Sequence, residues 1–161
     1  MKILVLSDTH AYLENARAVL ARLQGKVDAV FHLGDHDDDA VALQQEFPKL
    51  PFHYVKGNND YRVDTPSQNL LLTHGHKQRV YWNYDTISYW AEEQGADVVL
   101  FGHTHMPLWE TGGRVALFNP GSISLPRGGT LPTFGILTME DGRIEGAIME
   151  YWNKEHFKRI N

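Results

Sequence analysis

Residues 2–7, Lys-Ile-Leu-Val-Leu-Ser, read as a strand that does not alternate between apolar and polar positions. A strand with one wet face alternates; a continuous apolar run has to be covered on both faces. The next segment supplies one cover. Leu13, Ala16, Val19, Leu20 and Leu23 follow the i, i+3, i+4, i+7 spacing of an amphipathic helix over 13–23, and Gly25 stops it. The pattern then recurs, with strands at 28–33, 52–56 (stopped by Gly57), 69–73 and 97–101. Between them lie a short helix over 39–47 ended by Pro48, a polar stretch over 57–68, and a helix over 84–94 stopped by Gly95. Strand and helix in alternation argue for parallel β/α units. After residue 101 the texture changes to strands at 114–118, 133–139 and 143–150, with Asp141-Gly142 as a hairpin turn. This β meander pairs with or stacks on the α/β part.

At 161 residues the chain is expected to be a single domain over 1–161, large enough to bury its own core. It has no cysteine, which excludes disulfide frameworks, thiolate zinc sites, Fe–S clusters and cysteine nucleophiles. No apolar run approaches the ~18 residues of a membrane span, and the first strand ends in an acid instead of a signal-peptide cleavage region. A cytoplasmic protein without membrane contact is expected. The net charge of −5 argues against a long nucleic-acid partner but not against an anion held by metal ions. Nine histidines are left to explain.

Each strand of the α/β part runs directly into metal-ligand residue types. These are Asp8-Thr9-His10, Gly34-Asp35, Gly57-Asn58-Asn59-Asp60, His74-Gly75-His76 and Gly102-His103-Thr104-His105. In open α/β sheets, ligands bind beyond the carboxyl ends of the strands, so these five segments meet on one rim. Glycine beside most of them permits sharp turns and close backbone approach. Mixed oxygen and imidazole donors without thiolate suit Mn²⁺, Fe, Zn²⁺, Ni²⁺ or Co²⁺ better than Ca²⁺. Seven donors (Asp8, His10, Asp35, Asn58, His74, His103 and His105) exceed the needs of one tetrahedral site. They suffice for two divalent ions sharing a bridging carboxylate, with Mn²⁺ favoured. Phosphatases and nucleases use such pairs to clamp attacking and leaving oxygens.

The ordered set Asp8-x-His10, Gly34-Asp35, Gly57-Asn58, His74 and Gly102-His103-x-His105 resembles the calcineurin-like metallophosphoesterases. The Thr73-His74-Gly75-His76 spelling and the Asn119-Pro120-Gly121-Ser122 segment look like the small YfcE-like phosphodiesterase branch, over residues 2 to about 149. The resemblance implies an α/β fold of two stacked β-sheets flanked by helices, a four-layer αββα sandwich. It also implies that Asp8, His10, Asp35 and His105 hold a first metal. Asp35, Asn58, His74 and His103 would hold a second, with Asp35 bridging. The implied reaction is hydrolysis of a small phosphate ester, a diester first of all, by a hydroxide bridging the two metals. The competing readings are a phosphomonoesterase or nucleotidase with the same metals, and a non-catalytic interaction scaffold. Relatives become scaffolds after losing site histidines, and all the ligand positions here are filled.

Many superfamily members carry a histidine directly after the Gly-Asn pair, where it protonates the leaving oxygen. Here that position is Asn59, kept with His76 as a candidate catalytic residue, whose amide can hydrogen-bond the leaving group but cannot act as an acid. His76 is taken as the stand-in, ahead of His36. The remaining groups read as structural. His32 and His53 are packed or edge residues, His156 is solvated, and Asp37, Asp38 and Asp39 are a solvated helix start favoured by the helix dipole. Arg127 is read as an exposed structural arginine before a phosphate ligand. Tyr81, Trp82, Tyr84, Tyr89 and Trp90 are divided among core, substrate wall and dimer surface. Asn119-Pro120-Gly121-Ser122 closes an edge of the site. Tyr151 and Trp152 point to a homo-oligomer.

Overall fold

The four consecutive apolar side chains of the first strand, Ile3, Leu4, Val5 and Leu6, are all fully buried, and they divide between two cores. A computed structural model, which describes residues 1–56, 59–65 and 68–161, shows how. Ile3 and Val5 of β1 (Lys2–Leu6) face Leu70 and Leu72 of β5 (Asn69–Leu72), Val98 and Leu100 of β6 (Val98–Leu100) and Phe118 of β8 (Ala116–Pro120). Leu4 and Leu6 point the other way, onto Ala16, Val19 and Leu20 of α1 (Glu14–Leu23) and Leu43 of α2 (Asp37–Glu46). On the far side of the second sheet, Ile87 and Ala91 of α3 (Asp85–Glu93) pack on Leu71, Val99 and Phe101. The layers are therefore helix, sheet, sheet, helix, as expected. Each fully buried side chain of this kind contributes roughly 1.5–3 kcal/mol.

The alternating β/α units do not make one sheet. The first sheet has the order β11-β10-β9-β1-β2-β3, and the second β4-β5-β6-β8-β7. β2 (Ala29–His32) and β3 (Phe52–Tyr54) continue β1 in parallel, whereas β9 (Thr133–Glu140) pairs antiparallel with β1 and carries β10 (Arg143–Asn153) through the Asp141-Gly142 turn. The meander is therefore split: β8 joins the second sheet parallel to β6, and β9 and β10 extend the first. Gly135 marks where the sheets press together. A Cβ there would lie 2.4 Å from Phe118 Cε1 and Cζ, so strand β9 carries glycine at its point of closest approach.

Three strands escape the sequence pattern. β4 (Tyr61–Asp64) lies inside the stretch read as polar, β7 (Pro107–Glu110) was not anticipated, and β11 (His156–Arg159) occupies the ending read as solvated. All three are sheet edges; β4 and β11 carry largely exposed side chains, whereas β7 is half-buried, with Leu108 and Trp109 packed on the cores. An edge strand carries little apolar pattern because charge and proline protect it. Among the described residues no helix is long and apolar enough to cross a membrane.

The registers position the site. Leu6 pairs with His32 and Leu72 with Leu100, so the parallel strands of each sheet end level. The loops that follow are tied together: Asp8 N–H donates to Gly34 O at 3.3 Å and Gly102 N–H to His74 O at 3.2 Å.

Candidate metal centre

Asp8, His10, Asp35 and His105 each offer one donor atom, and these four atoms lie within 4.8 Å of one another. His10 Nε2 stands 2.8 Å from Asp35 Oδ2 and 3.1 Å from His105 Nε2, and His105 Nε2 stands 3.3 Å from Asp8 Oδ1. The two carboxylates come from the ends of β1 and β2 in one sheet, and His105 follows β6 in the other, so the cluster sits on the seam between sheets.

The chemistry of this cluster fits a cation. Asp8 is buried; its Oδ2 accepts from Ser7 Oγ at 2.6 Å and from the His103 N–H at 3.0 Å. Its Oδ1 is buried without a hydrogen-bond donor. His105 Nδ1–H donates to the Leu125 carbonyl at 2.6 Å, which leaves a lone pair on Nε2 facing that bare oxygen. Two lone pairs held together repel unless positive charge lies between them. The proton affinities agree. The Asp8 contact raises the His105 pKa above its ordinary value against the effect of burial. Burial pushes the Asp8 carboxyl up, but the contact with His105, the His74 charge and the Ser7 hydroxyl outweigh it and hold the carboxyl low.

A second donor pair lies alongside. His74 Nε2 and His103 Nδ1 are 3.2 Å apart, and both rings line a cleft of about 430 Å³ together with Asp35, His36, Asp37, Val55 and His76. His74 Nδ1–H donates to the Leu33 carbonyl at 3.0 Å, so Nε2 is again the free donor. A backbone acceptor behind a ligating imidazole fixes its tautomer and orientation. Burial, then the His74 charge, lowers the pKa of His103. Asn58, expected as a ligand here, lies outside the described residues.

The loops that present these groups are strained. Asp8, His10, Asp35, His103 and His105 have φ of 55°, 48°, 56°, 69° and 60°. Such non-glycine positions cost of order 1–3 kcal/mol each and persist only where the surroundings hold them. Much of the holding comes from residues that sequence reasoning assigned elsewhere. Asp39, one of three acids read as a solvated helix start, is buried; its Oδ2 accepts from Thr9 Oγ1 at 2.6 Å and from the Ala11 N–H at 2.8 Å. His32 is fully buried beside Thr9 (3.2 Å) and accepts the Gly34 N–H at 3.3 Å. Burial lowers its pKa to about 4. Asn119-Pro120-Gly121-Ser122 does not close an edge but lies buried beneath the ligand loops. Asn119 Nδ2 donates to Gly102 O and Thr104 Oγ1, both at 3.0 Å, and Ser122 Oγ donates to Asp8 O at 2.8 Å. Nothing in the run Asp37-Asp38-Asp39 distinguishes its buried member.

The two residues proposed for leaving-group chemistry part company. His76 is half-buried in the cleft, its ring centroid 5.7 Å from His74 and 6.1 Å from His103. Burial, followed by the charges of His74 and Lys77, lowers its pKa. Asn59 is exposed and lines a neighbouring hollow with Phe52, His53, Tyr54, Lys56, Asp60 and Tyr61. That position lends no support to a catalytic role for Asn59. The aromatic group also divides. Tyr84 and Trp90 pack against the α3 core, Tyr81 stands against His103, and Trp82 and Tyr89 are exposed.

Comparison with known proteins identifies the family. A profile of the calcineurin-like phosphoesterase superfamily domain matches residues 1–142. The probable metallophosphoesterase YsnB of Bacillus subtilis is 35% identical over 150 residues, covering 88% of this chain and 86% of that protein. The phosphodiesterase MJ0936 of Methanocaldococcus jannaschii is 30% identical over 176 residues, covering 93% and 100%. The crystal structure of a predicted phosphoesterase from Streptococcus pneumoniae superposes with a TM-score of 0.78 at 29% identity, over 99% of this chain and 96% of that one.

Proposed function

The chain belongs to the calcineurin-like phosphoesterase superfamily, and from that premise we propose that it is a phosphodiesterase working through two divalent metal ions, with Mn²⁺ favoured. Asp8, His10, Asp35 and His105 hold one ion. Asp35, His74 and His103, with Asn58 outside the described residues, hold the other. Such ions, when bound, bring the pKa of a water molecule near neutrality and draw charge from phosphoryl oxygens. The observation that carries the reading is the bare, buried Oδ1 of Asp8 turned toward the lone pair of His105.

The protein residues do the positioning. Leu125 and Leu33 orient His105 and His74 through their Nδ1 protons, and Asp39 and Ser122 hold the Asp8–Ala11 turn. His76, in the same cleft and outside the proposed ligand set, delivers a proton to the departing alcohol. The histidine positions are filled, which favours catalysis over a scaffold role. The cleft of about 430 Å³ is of small-ligand size, which favours a small phosphate ester. The relatives YsnB and MJ0936, a metallophosphoesterase and a phosphodiesterase by name, support the same reaction class.

The test is to measure bound metal in the purified protein and its hydrolysis of bis(p-nitrophenyl) phosphate and p-nitrophenyl phosphate with added Mn²⁺. Close to two metals per chain and faster diester cleavage are expected, both lost in Asp8→Ala and His105→Ala. No bound metal together with no hydrolysis overturns the proposal. Preference for the monoester replaces it with a phosphomonoesterase.

A further inference from the structure

Beside Tyr81, whose ring meets His103 of the cleft, stands a cation that faces no carboxylate among the described residues. Arg17, Arg62, Arg114 and Arg159 each lie against a carboxylate. Among the described residues no ion pair involves Arg127. Its guanidinium donates to the Tyr81 hydroxyl and lies 5.7 Å from the centre of that ring. Tyr81 in turn stands edge-on to His103, with centroids 4.7 Å apart at 71°. The Arg127 backbone is fastened to the centre, because its N–H donates to the His105 carbonyl at 3.1 Å while Leu125 accepts His105 Nδ1–H. The root of the side chain is thus fixed to one candidate ligand, and its head rests on a ring packed against another.

This arrangement suits an anion that arrives and leaves. A guanidinium paired with a carboxylate is neutralised, and an anionic ligand has to displace that partner. A phenol oxygen neutralises nothing and is easily given up. The planar fork matches two phosphate oxygens, and its weak hydration makes their desolvation cheaper than at an ammonium. Tyr81 is 46% exposed, so part of its ring stays open to a ligand. Planar groups stack on aromatic faces whatever their substituents.

We propose that Arg127 and Tyr81 form the substrate-orienting arm of the site. Arg127 binds a non-bridging oxygen of the phosphodiester, and Tyr81 packs against the planar alcohol that stays on phosphorus, so diesters of aromatic alcohols or nucleosides are preferred. Both are positioning residues and neither donates a proton. The inference rests on the phosphodiesterase reading and names its substrate class.

The test uses the Mn²⁺-loaded protein with Arg127→Gln, Arg127→Lys, Tyr81→Leu and, as a remote control on the β9–β10 hairpin, Arg143→Gln. For bis(p-nitrophenyl) phosphate, Arg127→Gln is expected to raise KM about tenfold and to change kcat by less than about threefold, as for a lost charge-assisted hydrogen bond. Arg127→Lys recovers part of the loss, and Arg143→Gln changes nothing. Competitive inhibition by inorganic phosphate weakens in parallel in Arg127→Gln, with bound metal unchanged. Tyr81→Leu lowers the preference for bis(p-nitrophenyl) phosphate over methyl p-nitrophenyl phosphate, two esters with one leaving group. Unchanged KM and phosphate inhibition in Arg127→Gln overturn the arm. So does a fall in kcat and metal content at unchanged KM, which would make Arg127 a mere support for His105. If the wild-type protein cleaves neither diester, the phosphodiesterase reading fails first. Equal inorganic phosphate binding by wild type and Arg127→Gln in calorimetry would then overturn the arm independently.

Discussion

The Nδ1 proton of His74 goes to the Leu33 carbonyl, 3.0 Å away, and that hydrogen bond crosses from the second sheet to the first. His74 follows β5 and Leu33 follows β2, so the imidazole is held by the partner sheet and its free Nε2 faces His103. The candidate centre is therefore a property of the sandwich. Neither sheet alone presents both carboxylates and the three histidines that follow β5 and β6.

Metal binding should appear as stability. A cation held by the folded protein and ignored by the unfolded chain stabilises by about 2.7 kcal/mol at a hundredfold excess over Kd. For a chain of this size that raises Tm by roughly 5–10 °C. Adding Mn²⁺ to chelator-treated wild-type protein is expected to produce this shift in a calorimetric scan. Asp8→Asn keeps the shape of the side chain but loses the charge, and most of the shift should vanish. An equal shift in both proteins would remove Asp8 from the ligand set.

Gly102 should not tolerate a methyl group. A Cβ there would lie 2.0 Å from Ser7 Oγ and 2.7 Å from Asp8 Oδ2. Gly102→Ala is expected to cost about 1–3 kcal/mol in urea unfolding, as overpacking does, and to weaken Mn²⁺ binding by displacing the Asp8 carboxylate. Adding Ser7→Ala removes the closest atom and should recover part of the stability. Additive effects of the two substitutions would mean that the contact is not the cause.

Stability should fall in mild acid through His32. Burial holds its folded pKa at about 4, below the ordinary value of 6.5. The unfolded chain therefore takes the proton first. The full contribution of the neutral ring is present above pH 6.5 and drains away as the pH falls toward 4. The loss is of order 3 kcal/mol at 1.36 kcal/mol per pH unit. Urea unfolding of chelator-treated protein across this window should show a steeper decline for wild type than for His32→Gln. Identical slopes would show that His32 does not titrate with unfolding.

His76→Gln separates leaving groups. A proton donor contributes typically 10²–10⁴-fold where the departing alcohol is basic and little where it is an aryl oxide. The variant should slow an alkyl leaving group at least about tenfold more than p-nitrophenolate. Equal slowing of both would end the proton-donor role.

Side-chain chemistry and period carried much of this protein into view from the sequence. The unalternating run Ile3–Leu6 demanded cover on two faces, and two cores supply it. Asp8, His10, Asp35, His74, His103 and His105 follow strands because parallel strands in register end level, and the residues just beyond them become neighbours whatever their separation along the chain. The edge strands β4 and β11 left no such signal, because an edge needs little apolar surface, and β7, with Leu108 and Trp109 packed on the cores, is too short at four residues to show a period. The sequence by itself determined the α/β character, the helical and strand faces, and a donor set of carboxylate and imidazole without thiolate. The tertiary structure alone decided which strands go to which sheet and that Asp39, unlike exposed Asp38 beside it, is buried to hold Thr9 and Ala11. It also set Asn59 on a hollow apart from His76, and rested Arg127 on Tyr81, 46 residues away. The division has one physical reason: period and donor type are local properties of the chain, whereas burial and partnership depend on segments that meet only when the two sheets close on each other.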